Sequence, residues 1–106
     1  MQITITTRHF DLDERTKKYL SEKIEKLEKY FSKIISARAI LIKEGYRHMA
    51  EITLSAKNMN LVAKEAEQDL HSAIDLALHK LEKQLARMRD KVKEHKGRRF
   101  PPVEAE

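Results

Sequence analysis

SARAILIKEGYRHMAEITLSAKNMNLVAKEAE, residues 36–67, is the stretch that decides the fold. Residues 36–44 carry Ala39, Ile40, Leu41 and Ile42 in an unbroken run, apolar on both sides as in a central strand. Gly45 breaks the run and marks a turn. Residues 48–56 then alternate, with Ala50, Ile52, Leu54 and Ala56 on one face. Asn58-Met59-Asn60 reads as a second turn, because Asn tolerates positive φ. Residues 61–67 follow as a short strand, with Leu61 and Ala63 on one side and Val62, Lys64 and Ala66 on the other.

Residues 2–7 alternate Ile3 and Ile5 against Gln2, Thr4 and Thr6, which predicts a half-buried strand. A helix follows, opened by Asp11 or Asp13, with Glu14 three residues beyond Asp11 as in a capping box. Thr16, Leu20, Ile24, Leu27 and Phe31 form its apolar face, and it is expected to end near Phe31 or Ser32. The last element is a helix opened by Asp69 and running to about residue 95. Its stripe comprises Leu70, Ala73, Ile74, Ala77, Leu78, Leu81, Leu85, Met88 and Val92. Gly97 ends it and Pro101-Pro102 prevent its resumption.

The order is therefore βαβββα, an α+β domain over residues 1–96 with a flexible tail at 97–106. A helical crossover joins the first two strands, so they should be parallel, and the later strands should pair as hairpins. Each helix has one apolar face, so both are expected on the same face of a four-stranded mixed sheet.

Composition narrows the function. With no Cys, disulfides and thiolate metal sites are excluded. The N-terminus does not read as a signal peptide and no apolar run is long enough to span a membrane, so a cytoplasmic location is expected. Only two Gly leave no phosphate-binding loop, and no nucleophile–base–acid set is evident, so we expect no enzyme, no cofactor and no small-molecule substrate. His71, Asp75 and His79 recur every four residues, but they spread over two helical turns and lack a fourth ligand, so no metal is expected.

Charge is more telling. The net charge is +5, and residues 80–99 hold nine basic residues against three acids, a local +6 that leaves −1 for the remainder. That asymmetry points to a polyanionic partner. At about 100° per residue, Lys80, Gln84, Arg87 and Lys91 share one flank of the last helix with no acid. On the first helix Tyr19, Lys23, Lys26 and Tyr30 share another acid-free flank. The two flanks are expected to line one phosphate-docking groove or ridge. The plain alternative is lysine stems running along the core edge with their heads in water. A membrane surface fits less well, because the last helix shows no Trp or Phe before Phe100 and its apolar face is needed by the sheet. Strand aromatics of the base-stacking kind are missing, so contact should be through helices and mainly to backbone.

Two separated segments carry a family resemblance. Asp69-Leu70-His71-Ser72-Ala73-Ile74-Asp75 with Lys80-Leu81-Glu82-Lys83-Gln84-Leu85 and Arg87, and Lys26-Leu27-Glu28-Lys29-Tyr30-Phe31, resemble the ribosome hibernation promoting factors over residues 1–95. The resemblance implies a double-stranded-RNA-binding-domain-like fold. It implies binding to small-subunit rRNA in the channel for mRNA and the A- and P-site tRNAs, with translation blocked in stationary phase or stress. The implied rRNA contacts are Lys23, Lys26, Lys80, Lys83, Gln84, Arg87, Arg89, Lys91 and Lys93. Two positions depart from the family pattern: His71 stands where Tyr is usual, and Asn58-Met59 replaces a glycine pair. Long members add a dimerising C-terminal domain, whereas short members pair ribosomes through a second hibernation factor or hold single ribosomes idle. This chain is expected to be a short member or the N-terminal part of a long one. Members have also been labelled sigma-54 modulation proteins, so a protein-binding modulator of transcription is the alternative.

Overall fold

The structure is a computed structural model that describes residues 1–57 and 59–94, the last six of these by backbone only. Strands β1 (Gln2–Arg8), β2 (Ile34–Glu44), β3 (Arg47–Ala56) and β4 (Met59–Glu67) form one sheet in the order β1-β2-β3-β4. Helix α1 (Glu14–Lys26) links β1 to β2, and α2 (Leu70–Glu94) follows β4. β1 and β2 are parallel and the other pairs antiparallel, so the βαβββα mixed sheet stands as expected.

Register explains the core. Ala39 lies between Ile5 and Ile52, and Ile52 lies between Ala39 and Ala63, so small and large residues alternate across the sheet. Above the alanines lie Leu20, Ile24 and Leu27 from the first helical segment and Ile74, Leu78, Leu81 and Leu85 from α2. Small residues at the sheet centre let both helices approach one face closely, as interior packing density requires. Gln2, Thr4 and Thr6 of β1 and Arg38 of β2 alternate onto the opposite, helix-free face.

Details of three elements, β2, α1 and β4, differ from the sequence reading. First, β2 starts at Ile34 and carries a bulge: Ile34 pairs with Ala56 but Ser36 pairs with Ser55. The extra residue, Ile35, is 60% exposed. The bulge shifts the side-chain phase by one, so Ile34 and then Ala37, Ala39 and Leu41 all reach the same core. Second, α1 stops at Lys26 rather than near Phe31. Residues Leu27–Lys29 tighten into a 3₁₀ turn, in which the Tyr30 N–H donates to the Leu27 carbonyl at 3.0 Å. Of the two N-cap candidates, Asp13 takes the position at the start of α1. Its carboxyl is held below the usual carboxylate range, chiefly by the Thr16 hydroxyl.

Gly45 makes the β2–β3 turn at φ +65°, and His9 also adopts a positive φ, 70°. Third, Met59 and Asn60 belong to β4 rather than to a turn. Asn58, the C-terminal boundary near residue 97 and the tail at 97–106 lie outside the described residues.

Candidate nucleic-acid interface

The basic helix is anchored at its first turn. The Ser72 backbone N–H and hydroxyl donate to Asp69 Oδ2 at 3.0 and 3.1 Å, which satisfies an orphan donor as an N-cap should. Lysines and arginines gather towards the other end, where they also suit the negative pole of the helix dipole.

β4 ends where α2 begins, and α1 likewise returns from the end of β1 to the start of β2. Both helices therefore run back along the sheet in the same direction. α2 packs over β3 and β4, and α1 packs towards β1. This placement decides which flanks meet. The Tyr19 hydroxyl of α1 donates to Asp75 Oδ1 at 2.6 Å, and its ring lies 4.7 Å from the His71 ring, tilted 44°. Lys23 Nζ sits 5.4 Å from the centroid of the same Tyr19 ring, within cation–π range. The α1 flank thus faces the His71/Asp75 flank of α2. The Lys80/Gln84 flank points away from α1 and overhangs β4, where Lys80 pairs with Glu65 and Gln84 Nε2 donates to the Val62 carbonyl at 3.5 Å.

Two expectations are corrected here. The acid-free flanks do not face one another across a single groove. Nor are they acid-free in three dimensions: each receives one acid from another element, Asp75 beside Tyr19 and Glu65 beside Lys80. Reading one helix at a time hid both. Glu65 was reachable from the sequence, since it continues the Leu61/Ala63 face of β4 by period two.

The proposed contacts separate accordingly. Lys83 and Arg87 are exposed, and Lys80 remains 56% exposed although paired. Gln84 is half-buried and occupied with a carbonyl of the sheet's edge strand. Lys23 is half-buried over Tyr19, and Lys26 lies in a shallow depression with Glu22, Glu25, Glu28 and Lys29. The helical backbone continues through Arg89, Lys91 and Lys93, whose side chains lie outside what is described.

The His71–Asp75–His79 series diverges: His71 and Asp75 meet Tyr19, while His79 Nδ1 lies 4.0 Å from Glu82 Oε1. Among the described residues no group of three or more His, Cys, Asp or Glu could hold a metal ion. No described helix is long and apolar enough to cross a membrane.

The Tyr19–Asp75 bond has a measurable consequence. It holds the phenol protonated, and with burial pushes its pKa up to about 12. Because the folded value lies above the unfolded one, the stabilisation is complete below about pH 10 and is lost as pH rises from about 10 to 12. A hydrogen bond to a charged acceptor contributes about 1.5–3 kcal/mol, and solvent screening at this partly exposed position reduces that to about 1 kcal/mol. Tyr19→Phe is therefore expected to lower stability by about 1 kcal/mol at neutral pH. Urea midpoints compared between the two proteins should converge above pH 10, and a constant gap to pH 12 would contradict the assignment.

Comparison with known proteins follows the same lines. Residues 3–93 match the family described as sigma 54 modulation protein / S30EA ribosomal protein. The ribosome hibernation promoting factor of Salmonella typhimurium is 34% identical over 95 residues, covering 90% of this chain and all of that one. The protein of the same name from Azotobacter vinelandii is 32% identical over 100 residues, covering 93% of this chain and 94% of that one. Among solved structures, the N-terminal domain of Thermus thermophilus Protein Y superposes with a TM-score of 0.77 at 27% identity, covering 83% of this chain and 99% of that one. A ribosomal subunit interface protein from Coxiella burnetii shares the fold, with a TM-score of 0.78 at 19% identity over 85% of this chain and 99% of that one.

Proposed function

Since this chain belongs to the sigma 54 modulation protein / S30EA ribosomal protein family, and to the ribosome hibernation promoting factors within it, we propose that it is a non-enzymatic factor that holds ribosomes idle. Its partner in this reading is small-subunit rRNA, in the channel otherwise taken by mRNA and the A- and P-site tRNAs. Occupancy there blocks translation in stationary phase or stress, and it places the protein in the cytoplasm.

The observation that carries this reading is the run Lys80, Lys83 and Arg87, exposed along the outer side of a long helix capped at its far end. Such a row meets phosphates, which fixes register without reading base sequence. The strands add no Phe or Tyr for base stacking. Contacts therefore come from α2, with Lys23 and Lys26 of α1 at a second rim and Arg89, Lys91 and Lys93 added by the C-terminal turns of α2.

Sucrose-gradient sedimentation with purified ribosomes is the test. Co-migration with small subunits is expected, and the profile also separates idle single ribosomes from paired ones. Five to seven phosphate contacts give a log–log slope of affinity against salt of roughly −4 to −6. A flat salt response would count against a phosphate-backbone mode, and retention on RNA polymerase instead of ribosomes would favour a transcriptional role.

A further inference from the structure

Among the described residues, Lys80 is the basic residue of the exposed α2 row that pairs with another element's carboxylate: Glu65, on the helix-facing side of edge strand β4. Glu65 is only 20% exposed, whereas Lys80 is 56% exposed, so the carboxylate is seated under the helix while the ammonium group keeps access to solvent. A carboxylate and a phosphate oxygen are alternative anionic acceptors for the same ammonium group. Taking the reading of α2 as a phosphate-binding helix as given, we infer that Glu65 is an internal phosphate surrogate that RNA must displace from Lys80.

The arrangement does two things. It keeps Lys80 extended along the β4 edge in the free protein. It also lowers affinity for any polyanion, because docking a phosphate on Lys80 leaves Glu65 without its partner and close to the incoming negative charge. The penalty is the same for every RNA that engages Lys80, so it lowers affinity across the board and leaves the ratio between two such targets unchanged. Glu65 thereby holds down the occupancy of α2 by RNA in general without discriminating between targets. Asp75 does not act in this way, because it lies on the flank of α2 that faces α1 and its partner there is the Tyr19 hydroxyl rather than a lysine of the row.

Glu65→Gln removes the charge and keeps the shape. It is expected to tighten binding to a short A-form RNA duplex by roughly two- to five-fold at moderate salt, the worth of a solvent-screened ion pair. Its salt slope should steepen by up to about one. Binding to small subunits should tighten by a similar factor, since the same lysine is released. Glu44→Gln, at the exposed β2–β3 hairpin, makes the same change in net charge and controls for bulk electrostatics. In a Lys80→Ala background the Glu65→Gln gain should vanish, with thermal melts of each variant verifying the fold.

A Glu65→Gln gain no larger than that of Glu44→Gln, a gain that survives Lys80→Ala, or weaker binding would each overturn the inference. Wild-type protein that binds the duplex with these dependences but ignores small subunits would remove the ribosomal reading and leave the role of Glu65 standing. Failure to bind either RNA would remove both.

Discussion

Reversing the charge at Lys80, Lys83 and Arg87 to Glu is expected to abolish co-sedimentation with small ribosomal subunits at physiological salt. All three side chains are exposed on α2 and contribute nothing to the buried core. Each lost phosphate contact forfeits about five-fold in affinity at 0.15 M salt through counterion release, so three together cost about a hundred-fold. The reversed sign adds repulsion to that loss. The variant should still fold: the changes at Lys83 and Arg87 cost at most about 0.5 kcal/mol each, Lys80→Glu also sets a like charge against Glu65, and the melting temperature should fall by less than about 15 °C. Filter binding to isolated 16S rRNA gives the number, and near-parental affinity in a folded triple variant would sink the assignment of α2.

The complementary experiment breaks the fold and spares the charge. Leu81 is fully buried between the exposed Lys80 and the half-buried Glu82. Leu81→Ala is expected to cost about 3 kcal/mol, the loss of transfer energy plus that of a partly collapsed cavity. In a domain of this size that lowers the melting temperature by roughly 15 °C. Leu76→Ala, five residues earlier on the same helix but 40% exposed, should cost less than about 0.5 kcal/mol. Circular-dichroism melts separate the two cases. Equal losses at both sites would contradict the way α2 is rotated on the sheet. Below its melting range Leu81→Ala should still bind rRNA, because the charged row is intact.

Much of this architecture is written in local patterns. Alternation at Ala50, Ile52 and Leu54 and the four-residue rhythm of Leu20 and Ile24 each reflect one element meeting one core, and each held in the structure. The parallel β1–β2 pair followed from a helix having to lie between two strands. Local patterns failed where a feature belongs to two elements at once. The Ile35 bulge depends on how β2 meets β3, and the early end of α1 depends on where the chain must enter β2. The candidate interface shows the same division. Exposure of Lys83 and Arg87 follows from helical phase alone, whereas the acids Glu65 and Asp75 come from β4 for one helix and from the neighbouring helix for the other.

α1 is seated towards β1 and α2 over β3 and β4, so the helices stand about two strand spacings apart, or roughly 10 Å. The spacing of the Lys23 and Lys80 flanks is thus set chiefly by the backbone ladders beneath them, with the contacts of Tyr19 to Asp75 and His71 tying the helices together above. The two helices are rails of fixed gauge, each with its basic flank turned towards the β4 edge. In the proposed reading, exchanging surface residues alters how firmly each rail holds RNA, while the gauge changes only if a strand is added, lost or shifted in register.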